Sequence, residues 1–205
     1  QALKRLFPGV RGRLVDLCKP TQRKYNVAVT AAAGIHMDAI VVDTQRCGFE
    51  CIAYMHEQRV GRTSFIPLDS IKVKPVNERL RSLGPKHRLC ADIIEGGDEG
   101  VRRAIMYAVG NTVVCDTLDD ARALCYGQGE KVGGGVNISG GGIMRLQRKV
   151  KAVTLGGATI SKAGNITGGS TGTDLDRAER WDEKLFGELK ARREELEAER
   201  DSLSR

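Results

Sequence analysis

The sequence predicts a mixed α/β fold made of two α/β subdomains, with helix entering and leaving. Three observations predict it. Short apolar runs of β type alternate with helix-compatible runs between Leu14 and Ser161. An order of elements recurs: helix, glycine, strand, Val41-Val42-Asp43-Thr44, helix, and later helix, Gly110-Asn111, strand, Val114-Cys115-Asp116-Thr117, helix. Finally, Arg177–Leu203 has no proline, a single glycine and a dense mix of Glu, Arg, Lys and Leu, the composition of a long polar helix. Asp-Thr steps are also common helix caps, so the recurrence fits chance capping as well as two related halves.

In chain order, Gln1–Leu6 is helix-compatible and stops at Pro8-Gly9, and Leu14–Leu17 reads as a short strand. The first residues start abruptly within that helix-compatible piece, as an excised fragment would. Pro20-Thr21 opens a helix that closes on Gly34, with proline near its start and glycine just past its end. Ala39–Val42 is a strand of buried type, and Asp43-Thr44 caps a helix to about Arg59 with Cys47, Cys51 and Met55 on one face. Thr63–Leu68 and Ile71–Val73 read as strands, and polar Asn77–Pro85 marks a subdomain boundary. Beyond it come a strand over Arg88–Ile94, a helix from an Asp98 cap to Val109 and a strand over Thr112–Cys115. Thr117 then caps a helix to Tyr126. The glycine-rich stretch Gly127–Gly142 reads as a loop. Ala152–Leu155 and Ala158–Ser161 form a hairpin turned at Gly156-Gly157. A short β-type run, Asn165–Thr167, then lies among Gly164, Gly168, Gly169 and Gly172, where backbone can come close to a ligand, a strand or another subunit. Leu189, Leu196 and Leu203 recur every seven residues, a coiled-coil seam, although Arg192 and Glu199 occupy the second seam position.

The chain has 205 residues, is 40% hydrophobic and carries a formal charge of +7. Its base is uneven: residues 131–163 hold six Lys or Arg and no acid, while from Asp174 onward eleven acids face eight bases. A basic body permits nucleic acid or acidic partners. Six dispersed cysteines, several within apolar runs, read as buried thiols of a reducing compartment, and no signal peptide or membrane-spanning run is present.

The glycines carry no nucleotide motif. There is no Gly-x-x-x-x-Gly-Lys-Ser/Thr run, and position 132 is Val, 138 Ile and 145 Arg where Gly-x-Gly-x-x-Gly would need glycine. Cys47, Cys51 and His56 lie close enough to suggest a metal, but two cysteines one helical turn apart on an apolar face are ordinary core thiols. His36, His56 and His87 belong to no nucleophile–base pattern, and His36 and His87 fall in segments read as exposed loops. Asp43 and Asp116 are explained by capping, so no catalytic residue and no metal ligand is assigned. The basic runs Lys4–Arg13, Lys19–Lys24 and Arg145–Lys151 suit salt-sensitive phosphate contact, with no aromatic platform for base stacking.

Three segments together resemble a known family. Phe7-Pro8-Gly9-Val10-Arg11-Gly12-Arg13-Leu14 resembles the opening of hinge domains in the structural maintenance of chromosomes (SMC) family. Gly110–Asp116 with Asp120-Ala121 is similar to that family's second-half motif, and Ser161–Gly169 to its closing Ser-x-x-Gly-x-x-x-Gly-Gly. The likeness covers most of residues 7–185, and Leu17–Tyr25 with Arg180–Lys184 are most similar to the first SMC subunit of cohesin. Two departures stand out: Gly156-Gly157 replaces the usual Asp-Gly, and residues 128–148 are longer than the usual connection.

The resemblance implies an SMC hinge: two α/β subdomains flanked by the ends of an antiparallel coiled coil. Residues 1–8 would end the incoming helix, 9–80 and 81–174 form the subdomains, 128–148 be a glycine-rich insertion, and 175–205 start the outgoing helix. It implies assembly without catalysis or cofactor, with ATPase heads elsewhere in the full-length protein. The hinge would pair with the hinge of the third SMC subunit of cohesin, each half meeting the partner's opposite half, to close a ring around DNA in sister-chromatid cohesion. That places the chain on chromosomes in the nucleus, with weak self-association and nonspecific DNA contact as further expectations. Dimerisation maps onto Gly164, Asn165, Ile166, Thr167, Gly168, Gly169 and Gly172, with Gly110 and Asn111. DNA contact maps onto Arg11, Arg13, Lys19, Arg23, Lys24, Lys149 and Lys151. The competing readings are a basic α/β module binding nucleic acid as a monomer, and an α/β enzyme.

Overall fold

The computed structural model describes residues 2–126, 150–169 and 172–182, together with 187, 192–193 and 196–197. The glycine-rich stretch, Lys149, and Leu189 and Leu203 of the heptad seam lie outside the described residues.

The first half runs α1 (Ala2–Leu6), β1 (Val10–Arg13), α2 (Leu14–Leu17), β2 (Cys18–Pro20), α3 (Asn26–Ala33), β3 (Ile40–Val42), α4 (Gln45–Glu57) and β4 (Phe65–Pro67). The second runs β5 (His87–Leu89), a 3₁₀ turn at Cys90–Ile93, β6 (Ile94–Gly96), α5 (Glu99–Val109), β7 (Val113–Cys115), α6 (Leu118–Tyr126), β8 (Ala152–Thr154), β9 (Thr159–Ile160), β10 (Ile166–Thr167) and α7 (Gly172–Glu179).

The recurrence in the sequence is a recurrence in the fold. In the first half β3 pairs antiparallel with β1 and parallel with β4. In the second, β7 pairs antiparallel with β5 and parallel with β8. The segments after β1 and β5 match as well: a single helical turn, then a three-residue strand, β2 or β6. These two equivalent strands pair antiparallel with each other, Lys19 opposite Glu95, which is the geometry a local two-fold axis produces. The halves differ at one edge. Beyond β8 the second sheet continues through β9 to β10, in the order β10-β9-β8-β7-β5, whereas the first sheet, β1-β3-β4, stops at β4.

The largest buried cluster lies between the halves. It joins Tyr25, Val29, Met37, Val41 and Ile66 to Cys90, Ile93, Ala104, Ile105, Val114 and Val153. A second cluster around Leu80, Leu89, Cys115, Leu124 and Ile160 belongs to the second half, and a small one (Val10, Val42, Cys47, Cys51) to the first.

Several expected boundaries move. Leu14–Leu17 is a helical turn rather than a strand, Ile71–Val73 is not a strand, and the helix expected from Pro20-Thr21 starts at Asn26. Pro20 is held in the β2–β6 ladder and the Thr21 N–H donates to the Ile93 carbonyl at 2.9 Å, which keeps this stretch extended. His36 and His87 are half-buried rather than loose. The His36 ring meets Tyr107 edge-on at 5.3 Å, and His87 begins β5. The closing helix starts at Gly172, before the expected Arg177, and its last turn tightens into i→i−3 bonds at Arg180, Trp181 and Asp182. Gly187, Arg192, Arg193, Leu196 and Glu197 are helical.

Candidate pairing interface

The closing glycines expected to carry pairing flank β10. Among the described residues this strand pairs on one side only, Ile166 opposite Ile160 and Thr167 opposite Thr159, and forms the outer edge of the five-stranded sheet. Both residues are exposed, Ile166 at 50%. An apolar, β-branched edge with unpaired backbone groups is a ready template for another strand. The turn before it is tight. The Ser161 N–H donates to the Asn165 carbonyl at 2.8 Å, the Asn165 N–H to Ser161 Oγ at 3.0 Å, and the Gly164 N–H to the Ser161 carbonyl at 3.0 Å. Gly169 has φ +65°, which favours glycine for conformational reasons. Gly168 has no such φ, and none of the described residues lies within 4 Å of where its Cβ would stand. Its lack of a side chain therefore serves no contact within the described residues. Gly172 opens α7.

Gly110 and Asn111 are placed differently. Gly110 ends α5, donating its N–H to the Met106 carbonyl at 2.9 Å. Asn111 holds the linker between the halves: its Oδ1 accepts from the Asn77 N–H and its Nδ2 donates to the Pro75 carbonyl, both at 3.0 Å. Both residues have roles within the chain, on the linker side of the sheet.

The first half offers a second surface that the sequence reading missed. The outer side of β4 is unpaired among the described residues, and β4 contains Pro67, which a sheet accommodates at an edge. Beside it, α4 exposes Phe49 (61%) and Ile52 (48%) while burying Cys47, Cys51 and Met55 on its other face. A helix apolar on two faces was the available signal. Its N-terminus is well fixed, since Thr44 Oγ1 accepts the Cys47 N–H at 3.2 Å and the Asp69 carboxylate accepts the Gln45 N–H at 3.0 Å.

The basic residues separate into inward and outward groups. Arg11 bridges the halves, donating to Asp43 of the first and Asp98 of the second. The hydrogen bond to Asp43 is the main reason its pKa is raised. The Lys151 ammonium donates to the Ala32 carbonyl at 3.0 Å across the same boundary, and burial lowers its pKa. Both side chains thus join the halves. Arg13 pairs with Asp16 at 3.0 Å, Lys19 faces Glu95 in the ladder, and exposed Arg23 pairs with Asp182 at 2.8 Å. Lys24 stands over the buried Tyr25 ring at 4.9 Å, with Arg88 of β5 at 5.9 Å. The fold therefore brings Arg88 to the same ring as Lys24, a relation invisible in the sequence.

Burial makes several of the thiols poor nucleophiles. All six cysteines are free, and burial raises Cys90 and Cys115 to about 12 and Cys51 to about 11. Among the described residues no group of three or more His, Cys, Asp or Glu is arranged to hold a metal.

Residues 7–125 match the family model described as the SMC proteins flexible hinge domain. Structural maintenance of chromosomes protein 1 of Arabidopsis thaliana is 41% identical over 203 residues, 99% of this chain but 15% of that protein. The chain thus spans about a seventh of the length of such relatives. Among solved structures, an asymmetric dimer of the Geobacillus stearothermophilus SMC hinge domain superposes with a TM-score of 0.67 at 28% identity, covering 100% of this chain and 79% of that one. The folded elbow of cohesin superposes at 0.62 with 32% identity, covering 99% of this chain and 27% of that one. The chain belongs to the SMC hinge family and is most similar to SMC1 proteins.

Proposed function

We propose that this chain is the hinge of a cohesin SMC subunit and pairs with the hinge of the third SMC subunit, closing the ring that holds DNA in sister-chromatid cohesion on nuclear chromosomes. The observation that carries the reading is the edge of β10, open among the described residues: an exposed Ile166-Thr167 strand followed by Gly168, around which those residues leave empty space. Pairing extends a sheet: β10 of one hinge adds to the free edge of β4 in the other, and Phe49 and Ile52 are covered beside it. The internal two-fold supports this choice of acceptor, because β8, the counterpart of β4, is already covered on that side by β9. The interface residues are then Gly164–Gly169 on one side and β4 with α4 on the other.

DNA contact is a second part of the proposal, carried by the outward Arg13, Lys19, Arg23 and Lys24 and joined by Arg88. It gives nonspecific affinity that falls steeply with salt. Sedimentation of the chain alone and mixed with the third-subunit hinge tests the pairing. A one-to-one complex is expected, and the Gly168→Glu/Gly169→Glu double variant remains folded but sediments as a monomer. Co-sedimentation of the double variant at wild-type affinity overturns the reading. A monomer that binds DNA with a steep salt slope and takes no partner favours the nucleic-acid module instead.

A further inference from the structure

We propose that Tyr126, at the end of α6, is a positioning residue for the pairing strand. This rests on the reading of β10 as the pairing edge. β10 is two residues long and, among the described residues, is laddered to β9 alone, so the strand itself does little to fix its direction. The turn at Ser161–Asn165 closes through its own hydrogen bonds, and its backbone passes through Gly164 at φ +87°. Local bonds fix the shape of this turn but not its orientation on the sheet. The Tyr126 hydroxyl supplies the external tie, donating to the Gly164 carbonyl at 2.7 Å. The ring also lines the turn, with Cε1 3.8 Å from where a Gly164 Cβ would stand. α6 is in turn packed into the second-half core through Ala121, Leu124 and Cys125. The path is therefore rigid from the core to the turn, one residue before Asn165. An edge held in one orientation before it meets its partner loses less conformational freedom on pairing.

The bond is exposed at the surface, where removing it costs the monomer little, whereas a partner strand reads the orientation it imposes. Tyr126→Phe keeps the ring and removes only the donor. Dissociation of the variant from the third-subunit hinge is measured by surface plasmon resonance, beside wild type, Gly168→Glu/Gly169→Glu and a Tyr107→Phe control. The expected result is about 3- to 10-fold faster dissociation for Tyr126→Phe, the effect of one lost hydrogen bond. The unfolding midpoint stays that of wild type, the control dissociates like wild type, and amide exchange at Ile166 and Thr167 is faster in the unpaired variant. If Tyr126→Phe dissociates at the wild-type rate while the glycine variant fails to pair, the role of Tyr126 is overturned and the strand reading stands. A lowered midpoint with unchanged dissociation also overturns it, by showing a purely structural bond. If the glycine variant pairs normally, the strand reading falls and the role of Tyr126 falls with it.

Discussion

Gly34 and Gly110 end α3 and α5 with nearly the same backbone turn, at φ 53°, ψ −125° and φ 54°, ψ −142°. Few residues other than glycine occupy that region, and the cost of forcing one there is about 1–3 kcal/mol. Neither position is crowded among the described residues: nothing lies within 4 Å of a Gly34 Cβ, and only the Met106 carbonyl, at 3.9 Å, approaches that of Gly110. Gly34→Ala and Gly110→Ala are therefore each expected to lose about 1–3 kcal/mol through backbone strain alone, as measured by urea unfolding. Gly168→Ala is the contrast. With no positive φ and open space around it among the described residues, this change leaves monomer stability within about 0.5 kcal/mol of wild type. Any loss it causes must then appear in pairing. The cysteines give a second residue-scale test. With Cys90 and Cys115 raised to about 12 by burial, iodoacetamide at pH 8 should label them only at the rate of global unfolding.

At the scale of elements, what was legible was local. Thr44, Asp98 and Thr117 each accept a backbone N–H three residues on, as their places ahead of apolar periodic runs indicated. The β8–β9 hairpin and the β-type run before Gly168 were also readable, because turn chemistry and strand alternation sit within a few residues, although the hairpin turns over three residues, 155–157, in place of the two glycines alone. The missed features depend on distant partners. Arg88–Ile94 looked like one strand, but the Cys90 N–H goes to the Thr112 carbonyl and the chain then crosses to pair β6 with β2. The docking of α7 on α3 was equally hidden. Arg177 and Arg180 both grip Asp38, Arg177 also reaches the Gly34 carbonyl, and Trp181 Nε1 donates to Thr30 Oγ1 at 2.9 Å. This clasp should be sensitive to acid. Partial burial resists ionisation of Asp38, but the hydrogen bond and charge of Arg180, with the charge of Arg177, outweigh it and hold the carboxyl below its usual value. A depressed carboxylate contributes its stability above the unfolded pKa of about 3.9 and loses it as pH falls through the lower folded value. Melting temperature followed from pH 6 to pH 2.5 should fall less steeply below pH 4 in Asp38→Asn than in wild type. Asp98 and Asp120, also held low, leave the variant a residual slope.

For the whole molecule, the question is whether two similar halves behave as two units. Composition placed a boundary near the polar linker, and topology shows that the halves do repeat one another. Yet their largest apolar cluster is shared, their equivalent strands β2 and β6 form one ladder, and Arg11, Lys151 and the α7 clasp cross between them. Unfolding one half would expose the shared cluster of the other, so neither gains by opening alone. The sole tryptophan, Trp181, sits in the clasp on the first half and reports on it by fluorescence, whereas far-UV ellipticity reports on all the helices. The two probes should trace one coincident transition in urea. Arg11→Gln removes the charge bridging Asp43 and Asp98, so both midpoints should fall together with little change in slope. Separate transitions, or a midpoint shift seen by one probe only, would mean that the halves unfold independently. A second hinge would then meet two loosely joined surfaces in place of one body with a fixed β10 edge and a fixed β4 edge.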